Sequence, residues 1–375
     1  MPKEDERKLA VKSIECLTEL DCVGGKEGIL SGKSYTFKIL EYQEDTPTEE
    51  EKKNIKWNFS YSTEEGMVVG TETKKIGDTF TLNIEEIGVK EAKFITIYTY
   101  FEDRNQEAQL EIEVVDKVLI EYGTLQKGFF KQKNGKIIIT DKNGNIGYDW
   151  EYGDNPSIEK MRANGMSLWD IENVRKGISS GENNLKFTFK SVLFGFSDIE
   201  DGFGKNGRDL AEHFFSGQGK PFYFKTNSNP ANEIKDSSEF KVFLNSLESE
   251  LKARYFSEGA IKNGENGFNT SFPYYSPFRG AIDYRINEVA TFVGGIQACE
   301  IFYELYEYSN NKIDLKIKKV IFYDTFGAGW EDGGAKGIKK QWIPGLVEMF
   351  ILQHFMNVNN PTKHQPFTVI IEIEL

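Results

Sequence analysis

Cysteine and histidine are both scarce in this chain, with three of each among 375 residues. Cys16, Cys22 and Cys299 are an odd set, so no disulfide framework is implied. Cys16 and Cys22 stand six positions apart and are able to pair; free thiols in a protein made in the cytoplasm are the plainer expectation. There is no C-x-x-C, no Cys/His zinc spacing, no H-E-x-x-H and no G-x-S-x-G elbow, so no metal ligand is assigned and no cofactor is named. Runs of about 18 apolar residues are missing, which excludes a membrane-spanning helix and leads us to expect no stable membrane insertion. The opening "MPKEDERKLAVKSIECL" lacks the apolar stretch of a signal peptide. The expectation is a chain made in the cytoplasm and, if exported, exported without a cleavable signal. Positive charge is in deficit: 46 Lys and Arg against 59 Asp and Glu leave −13, which argues against nucleic acid and anionic membranes as partners.

What is present is apolar and aromatic. Hydrophobic residues make up 39% and aromatics 14%, enough for more than one core and too much for a disordered chain. The length fits two or three domains at roughly 100–200 residues each.

Residues 1–116 read as an all-β, immunoglobulin-like antiparallel sandwich. "SYTFKILEY" (34–42), "IKWNFSYS" (55–62), "DTFTLNIEEI" (78–87), "KFITIYTYFE" (93–102) and "QLEIEVVDKV" (109–118) alternate apolar and polar side chains between turn-formers. Trp57 occupies the place of a core tryptophan, with no cysteine pair around it. Residues 117–153 read as a β-hairpin connector, because Asn-Gly at 134–135 and again at 143–144 is the strongest short-range hairpin signal.

Residues 154–375 read as an α+β domain, an antiparallel sheet with packed helices. "PSIEKMRANG", "SLWDIENVRKGI", "GRDLAEHFFSGQG" (207–219) and "SSEFKVFLNSLESELKARYFSEG" (237–259) have helical spacing, the last with a Phe240, Phe243, Leu244, Leu247, Leu251 stripe. Residues 281–295, 296–309 and 312–327 read as long strands, with Asn-Asn at 310–311 joining the last two. A helix follows over 343–355 with Pro344 as its first residue, and then a final strand over 366–375.

Several short motifs in order, "HFFSGQGKPF" (213–222), "VGGIQACEI" (293–301), "FYDTFGAGWED" (322–332), "FILQHF" (350–355) and "QPFTVIIEIE" (365–374), resemble a family of uncharacterised bacterial domains linked to polymorphic toxins and type VI secretion effectors. The resemblance covers roughly the last 160–200 residues. It implies a secreted antibacterial effector acting outside the producing cell, with a secretion-apparatus component and a cognate immunity protein as partners. This chain has Thr325 where those relatives carry a histidine.

The candidate chemistry centres on the glycine-rich turn of "VIFYDTFGAGWEDGG" (320–334). Asp324 at the strand's end suits a base, nucleophile or acid, or else hydrogen-bonds its own turn. Asp332 flanks the far side of the turn. His354 and His213 complete a proposed catalytic group with Asp324 and Asp332, His354 alternatively being tied to a backbone carbonyl. Tyr323, Arg208, Gln353 and Gly327 are the expected substrate contacts. His364, in the polar "NNPTKHQP", is expected to be solvated, and Cys299, within a strand pattern, to be core. "DIEDGFGKNGRD" (198–209) lacks the closing glutamate of a calcium loop, and its G-x-G-x-x-G has no strand–turn–helix context. The aromatic "GFNTSFPYYSPFRG" (267–280) suits either ring stacking on a ligand or packing on its own domain. Two functions follow: a hydrolase of a competitor's cell envelope, or a non-catalytic cargo or binding module docking onto a secretion apparatus.

Overall fold

The structure is a computed structural model; it describes residues 9–375 except 24, 31, 44, 64–65, 70–72, 84–91, 102–106, 194–204, 259–266, 276–287, 294, 310–311 and 335–344. The chain forms two compact units, residues 1–121 with 305–314, and residues 122–304 with 315–375. It is a mixed α/β protein, and among the described residues no helix is long and apolar enough to cross a membrane.

Among its described residues the first unit is β apart from one short 3-10 turn at Glu51–Asn54. Its strands are β1 (Val11–Cys16), β2 (Asp21–Val23), β3 (Lys26–Leu30), β4 (Ser34–Tyr42), β5 (Lys56–Thr63), β6 (Gly66–Val69), β7 (Thr73–Ile76), β8 (Thr79–Asn83), β9 (Phe94–Tyr100) and β10 (Ala108–Val115). One sheet runs β1-β4-β8; the other runs β2-β3-β10-β9-β5-β6, with β7 also on β5. The alternation along β4 buries Tyr35, Phe37 and Ile39 while the residues between them are more exposed, as the period-2 pattern predicts. Trp57 is fully buried, stacks on Phe80 and donates its indole N–H to the Gly77 carbonyl at 2.9 Å. A wholly antiparallel pattern is corrected at one place: β3 and β10 pair in parallel through Ile29–Val114 and Leu30–Val115.

The second unit begins within β11 (Val118–Lys127) and continues through β12 (Phe129–Lys133), β13 (Lys136–Thr140), α1 (Ile158–Ala163), α2 (Leu168–Ser180), α3 (Glu182–Leu193), α4 (Lys205–Ser216), β14 (Phe222–Phe224), α5 (Asn229–Asp236), α6 (Ser238–Glu258), α7 (Glu288–Val293), β15 (Ala298–Ser309), β16 (Lys312–Phe326), α8 (Leu346–His354) and β17 (Phe367–Glu374). Its sheet has the order β11-β15-β16-β17-β14. The expectation of an antiparallel sheet holds for β16 with β17 and fails for β14, which pairs with β17 in parallel.

The hairpin β12–β13 turns at Asn134 (φ 52°) and Gly135 (φ 75°), both left-handed, which is the backbone that Asn-Gly supplies. It is not a separate connector. Ile139 packs with Ala298, Tyr323 and Ile370 on one face of the sheet, and Thr368 Oγ1 donates to the Ile137 carbonyl. The second Asn-Gly reverses the chain in a tight loop closed by one antiparallel bridge between Thr140 and Ile146, with Asp141 accepting the backbone N–H groups of Asn143 and Asn145.

Helices cover the opposite sheet face. Phe240 and Phe243 of α6 meet Phe322, and Phe189 of α3 and Phe214 of α4 meet Phe326. Ser167 caps α2 in a reciprocal capping box with Asp170. Residues 288–293, predicted as strand, are helix α7, and the remainder of that expectation (281–287) lies outside the described residues. Helix α8 follows Gly345 (φ 95°); Pro344, the Asn-Asn at 310–311 and most of the 198–209 loop likewise lie outside them.

Candidate functional site

Helix α8 is largely apolar, and its residues Met349 to His354 are buried in succession. Six buried residues in a row place that stretch inside the protein on every side, so its two buried polar residues must find partners there. Gln353 Oε1 accepts from Ala328 N (2.9 Å) and its Nε2 donates to the carbonyls of Asp149 (3.0 Å) and Glu151 (2.6 Å). The carbonyls of Gln353 and His354 take the N–H groups of Gly153 and Asn155. One helix end thereby ties residues 149–155 to the turn after β16.

His354 is fully buried. Its Nδ1 lies 2.6 Å from Asp154 Oδ1 and its Nε2 lies 2.9 Å from the Ala328 carbonyl, so both ring nitrogens are engaged inside the protein. The ring stacks on Tyr148 (4.6 Å, 4° between planes), which stacks in turn on Trp330 (3.9 Å, 4°). Asp154 Oδ2 accepts from the Tyr148 hydroxyl (2.8 Å) and Lys160 Nζ (2.9 Å). Burial pushes the Asp154 carboxyl up, but the hydrogen bonds from His354, Lys160 and Tyr148 outweigh it and hold the group well below the usual carboxylate range.

Asp324 lies on the helix-covered face of β16, between Phe322 and Phe326 and opposite Val369. It is half-buried, and its carboxylate accepts from Thr325 N (2.9 Å) and Gly295 N (3.3 Å). Desolvation raises its pKa to about 7 against those two hydrogen bonds, with the nearby Asp149 charge adding to the rise. Asp332 accepts from Gly329 N (2.8 Å) and is likewise raised to about 7, by desolvation first and then by the charges of Glu331 and Asp149. Desolvation also raises Asp149. Thr325 Oγ1, on the opposite face from Asp324, accepts from Trp150 Nε1 (3.1 Å) and donates to Gln297 Oε1 (2.6 Å).

No hydrogen bond joins the members of the expected catalytic group to one another. Asp324, His354 and His213 share no hydrogen-bond partner, and His354 is closed inside packing. His213 on α4 donates Nε2–H to the Lys220 carbonyl (2.7 Å) and meets Phe222 and Phe367 edge-on. Three of the four expected substrate contacts are taken up in packing or hydrogen bonds within the protein. Gln353 is buried and satisfied. Tyr323 is buried on the hairpin side, stacked on Phe130 with its hydroxyl donated to Glu300. Gly327 serves close packing, since a Cβ there would collide with the Asp149 carbonyl oxygen. Arg208 is exposed on α4. His364, expected in solvent, is buried at φ 52°; its Nε2–H donates to Glu182 (3.2 Å), and burial lowers its pKa to about 4. Cys299 is buried in β15, as expected of a core thiol.

What sequence reasoning missed is "YDWEYGD" (148–154), which supplies Tyr148, Asp149, Trp150 and Asp154 to this corner. Its density of aromatics and acids was the available signal. Among the described residues no group of three or more His, Cys, Asp or Glu is arranged to hold a metal ion. Chemically, the corner offers carboxyls poised near neutrality, held by backbone N–H groups. The sequence matches no known family model, and no curated protein or solved structure matches it.

Proposed function

We propose that this chain is a non-catalytic docking or cargo module of a bacterial secretion apparatus, made in the cytoplasm and acting outside the producing cell. The observation that carries the reading is His354, whose two ring nitrogens are engaged by Asp154 and the Ala328 carbonyl in a fully buried position. A general base needs a proton-accepting atom within reach of substrate, and this ring offers none. The two-sheet first unit with its enclosed Trp57 supports an immunoglobulin-like module suited to binding. Expression of the chain in the periplasm of a susceptible bacterium is expected to leave viability intact, while export from the producing cell depends on the secretion apparatus. Breakdown of envelope polymer by the purified chain overturns the reading.

A second reading keeps the hydrolase, moving its chemistry to the carboxyls. Asp324 and Asp332, each raised to about 7, have the proton affinity of a general acid at neutral pH. Periplasmic toxicity abolished by Asp324→Asn or Asp332→Asn, in variants that retain their fold, favours it; its effector role then implies a cognate immunity protein.

A further inference from the structure

Residues 357–366, between α8 and β17, form a strap that is hydrogen-bonded mainly to itself. The Asn357 carbonyl accepts from Asn360 N and the Asn360 carbonyl from Lys363 N. The Gln365 side-chain amide donates to the Pro361 carbonyl, and that of Asn357 to the His364 carbonyl. Among the described residues, polar contacts tie the strap to the rest of the protein at two side chains only. Lys136 Nζ donates to Gln365 Oε1 (2.5 Å), and Glu182 of α3 meets His364 and Lys363. The His364 ring is fully buried against Phe214 and Phe215 of α4, 5.7 Å from each ring centre. Its Nε2–H donates to a Glu182 oxygen (3.2 Å) that Lys186 (2.6 Å) and Lys363 (3.5 Å) share. Its Nδ1 has no hydrogen-bond partner, and neither has the buried Asn357 Oδ1. The backbone here is left-handed (φ 52°), which a residue with a Cβ holds at a cost.

A further proton can enter this ring only at Nδ1, because Nε2 already carries one. There it makes a buried cationic N–H that faces no acceptor. Of the charged groups around the ring, Lys186 of α3 and Lys363 of the strap oppose the proton and Glu182 of α3 favours it; the α4 contacts are the two phenyl rings. Burial first, then Lys186, outweighs Glu182, so the closed strap resists a proton that the ring in water accepts at its ordinary 6.5. Proton uptake and opening are therefore coupled. We propose that residues 357–366 are an acid-released strap: protonation of His364 drives its ring away from Phe214 and Phe215, and the lifted strap uncovers that apolar surface while α8 and β17 stay folded. The device is independent of whether the chain docks or hydrolyses.

The test is hydrogen exchange of the full chain, read by mass spectrometry and corrected for the chemical exchange rate at each pH. Protection of residues 357–366 is expected to fall by up to about tenfold per pH unit from 6.5 towards 4, with β16, β17 and α8 keeping theirs. The Cε1–H resonance of His364, identified by its proximity to Phe214 and Phe215, gives a second reading on the unaltered protein. It is expected to report a neutral ring at pH about 5.5, where a free imidazole is mostly charged. In His364→Asn, a residue that tolerates left-handed backbone and takes up no proton, the strap's protection is expected to lose its pH dependence. Protection of the strap that is unchanged between pH 6.5 and 4 overturns the proposal. So does a charged His364 ring under a strap that stays protected, or a folded His364→Asn that keeps the full pH dependence. Loss spread evenly over β16, β17 and α8 also overturns it, because the whole unit then unfolds and no strap is released. The first two readings need no variant.

Discussion

The Nδ1–H of His354 meets Oδ1 of Asp154 across 2.6 Å, between residues 200 positions apart in the chain. The pair, its Tyr148–Trp330 stack and the neighbouring Gln353 hold residues 148–155, the turn after β16 and the end of α8 as one piece.

Breaking that pair is expected to cost stability and leave no other trace. Asp154→Ala leaves the buried His354 Nδ1 without its acceptor, a loss of about 1–3 kcal/mol. His354→Phe keeps the stacking surface yet leaves the Ala328 carbonyl with only the 3.4 Å bond from Gln353 and removes one partner of Asp154, at about 1–3 kcal/mol. Denaturant unfolding of both single variants and the double variant measures the coupling, and additive losses refute a direct pair.

The raised carboxyl of Asp324 gives stability a definite pH slope. Its folded pKa of about 7 exceeds the ordinary 3.8, so between those values the folded state holds a proton that the unfolded chain releases. Stability therefore falls as pH rises through this window, by up to about 1.4 kcal/mol per unit, and levels off above it. Asp324→Asn is expected to abolish this component. Melting curves of both proteins from acid to neutral pH check it; parallel curves refute the shift.

His364 produces the opposite slope. Burial first, then the charge of Lys186, lowers it from 6.5 to about 4, while its bond to Glu182 works the other way. Between those values the unfolded chain binds the proton and the folded state does not, so stability is lost as pH falls. The wild type is expected to weaken relative to His364→Gln on acidification from 6.5 towards 4. An unchanging gap counts against a neutral buried ring.

Trp57 anchors the first unit alone. Trp57→Ala removes a fully buried indole and its bond to the Gly77 carbonyl, a loss of about 3–5 kcal/mol. Hydrogen exchange should show lost protection in β4, β5, β8 and β9. Uniform loss across β16, β17 and α8 as well contradicts the division into two units.

Local patterns were legible and long-range company was not. "SYTFKILEY" reads as a strand, and it is β4 residue for residue. The Asn134–Gly135 turn and the Phe240–Leu251 stripe are equally readable because each depends on neighbours within a few positions. Residues 281–295 misled through their β-branched and aromatic content, and at 288–293 helical packing overrode that propensity. His354 read as an accessible imidazole because nothing near it in sequence reveals Asp154. His364 read as solvated because polar neighbours surround it in sequence, while Phe214 and Phe215 surround it in space.

The order of strands and helices, the scarcity of ligand-type residues and the acidic balance were decided by the sequence alone, since periodicity and composition act through adjacent residues. Which carboxyl meets which imidazole and which acids are desolvated were decided only by the tertiary structure. Burial and pairing join positions hundreds of residues apart, and those relations set the protonation of Asp154, Asp324 and His364.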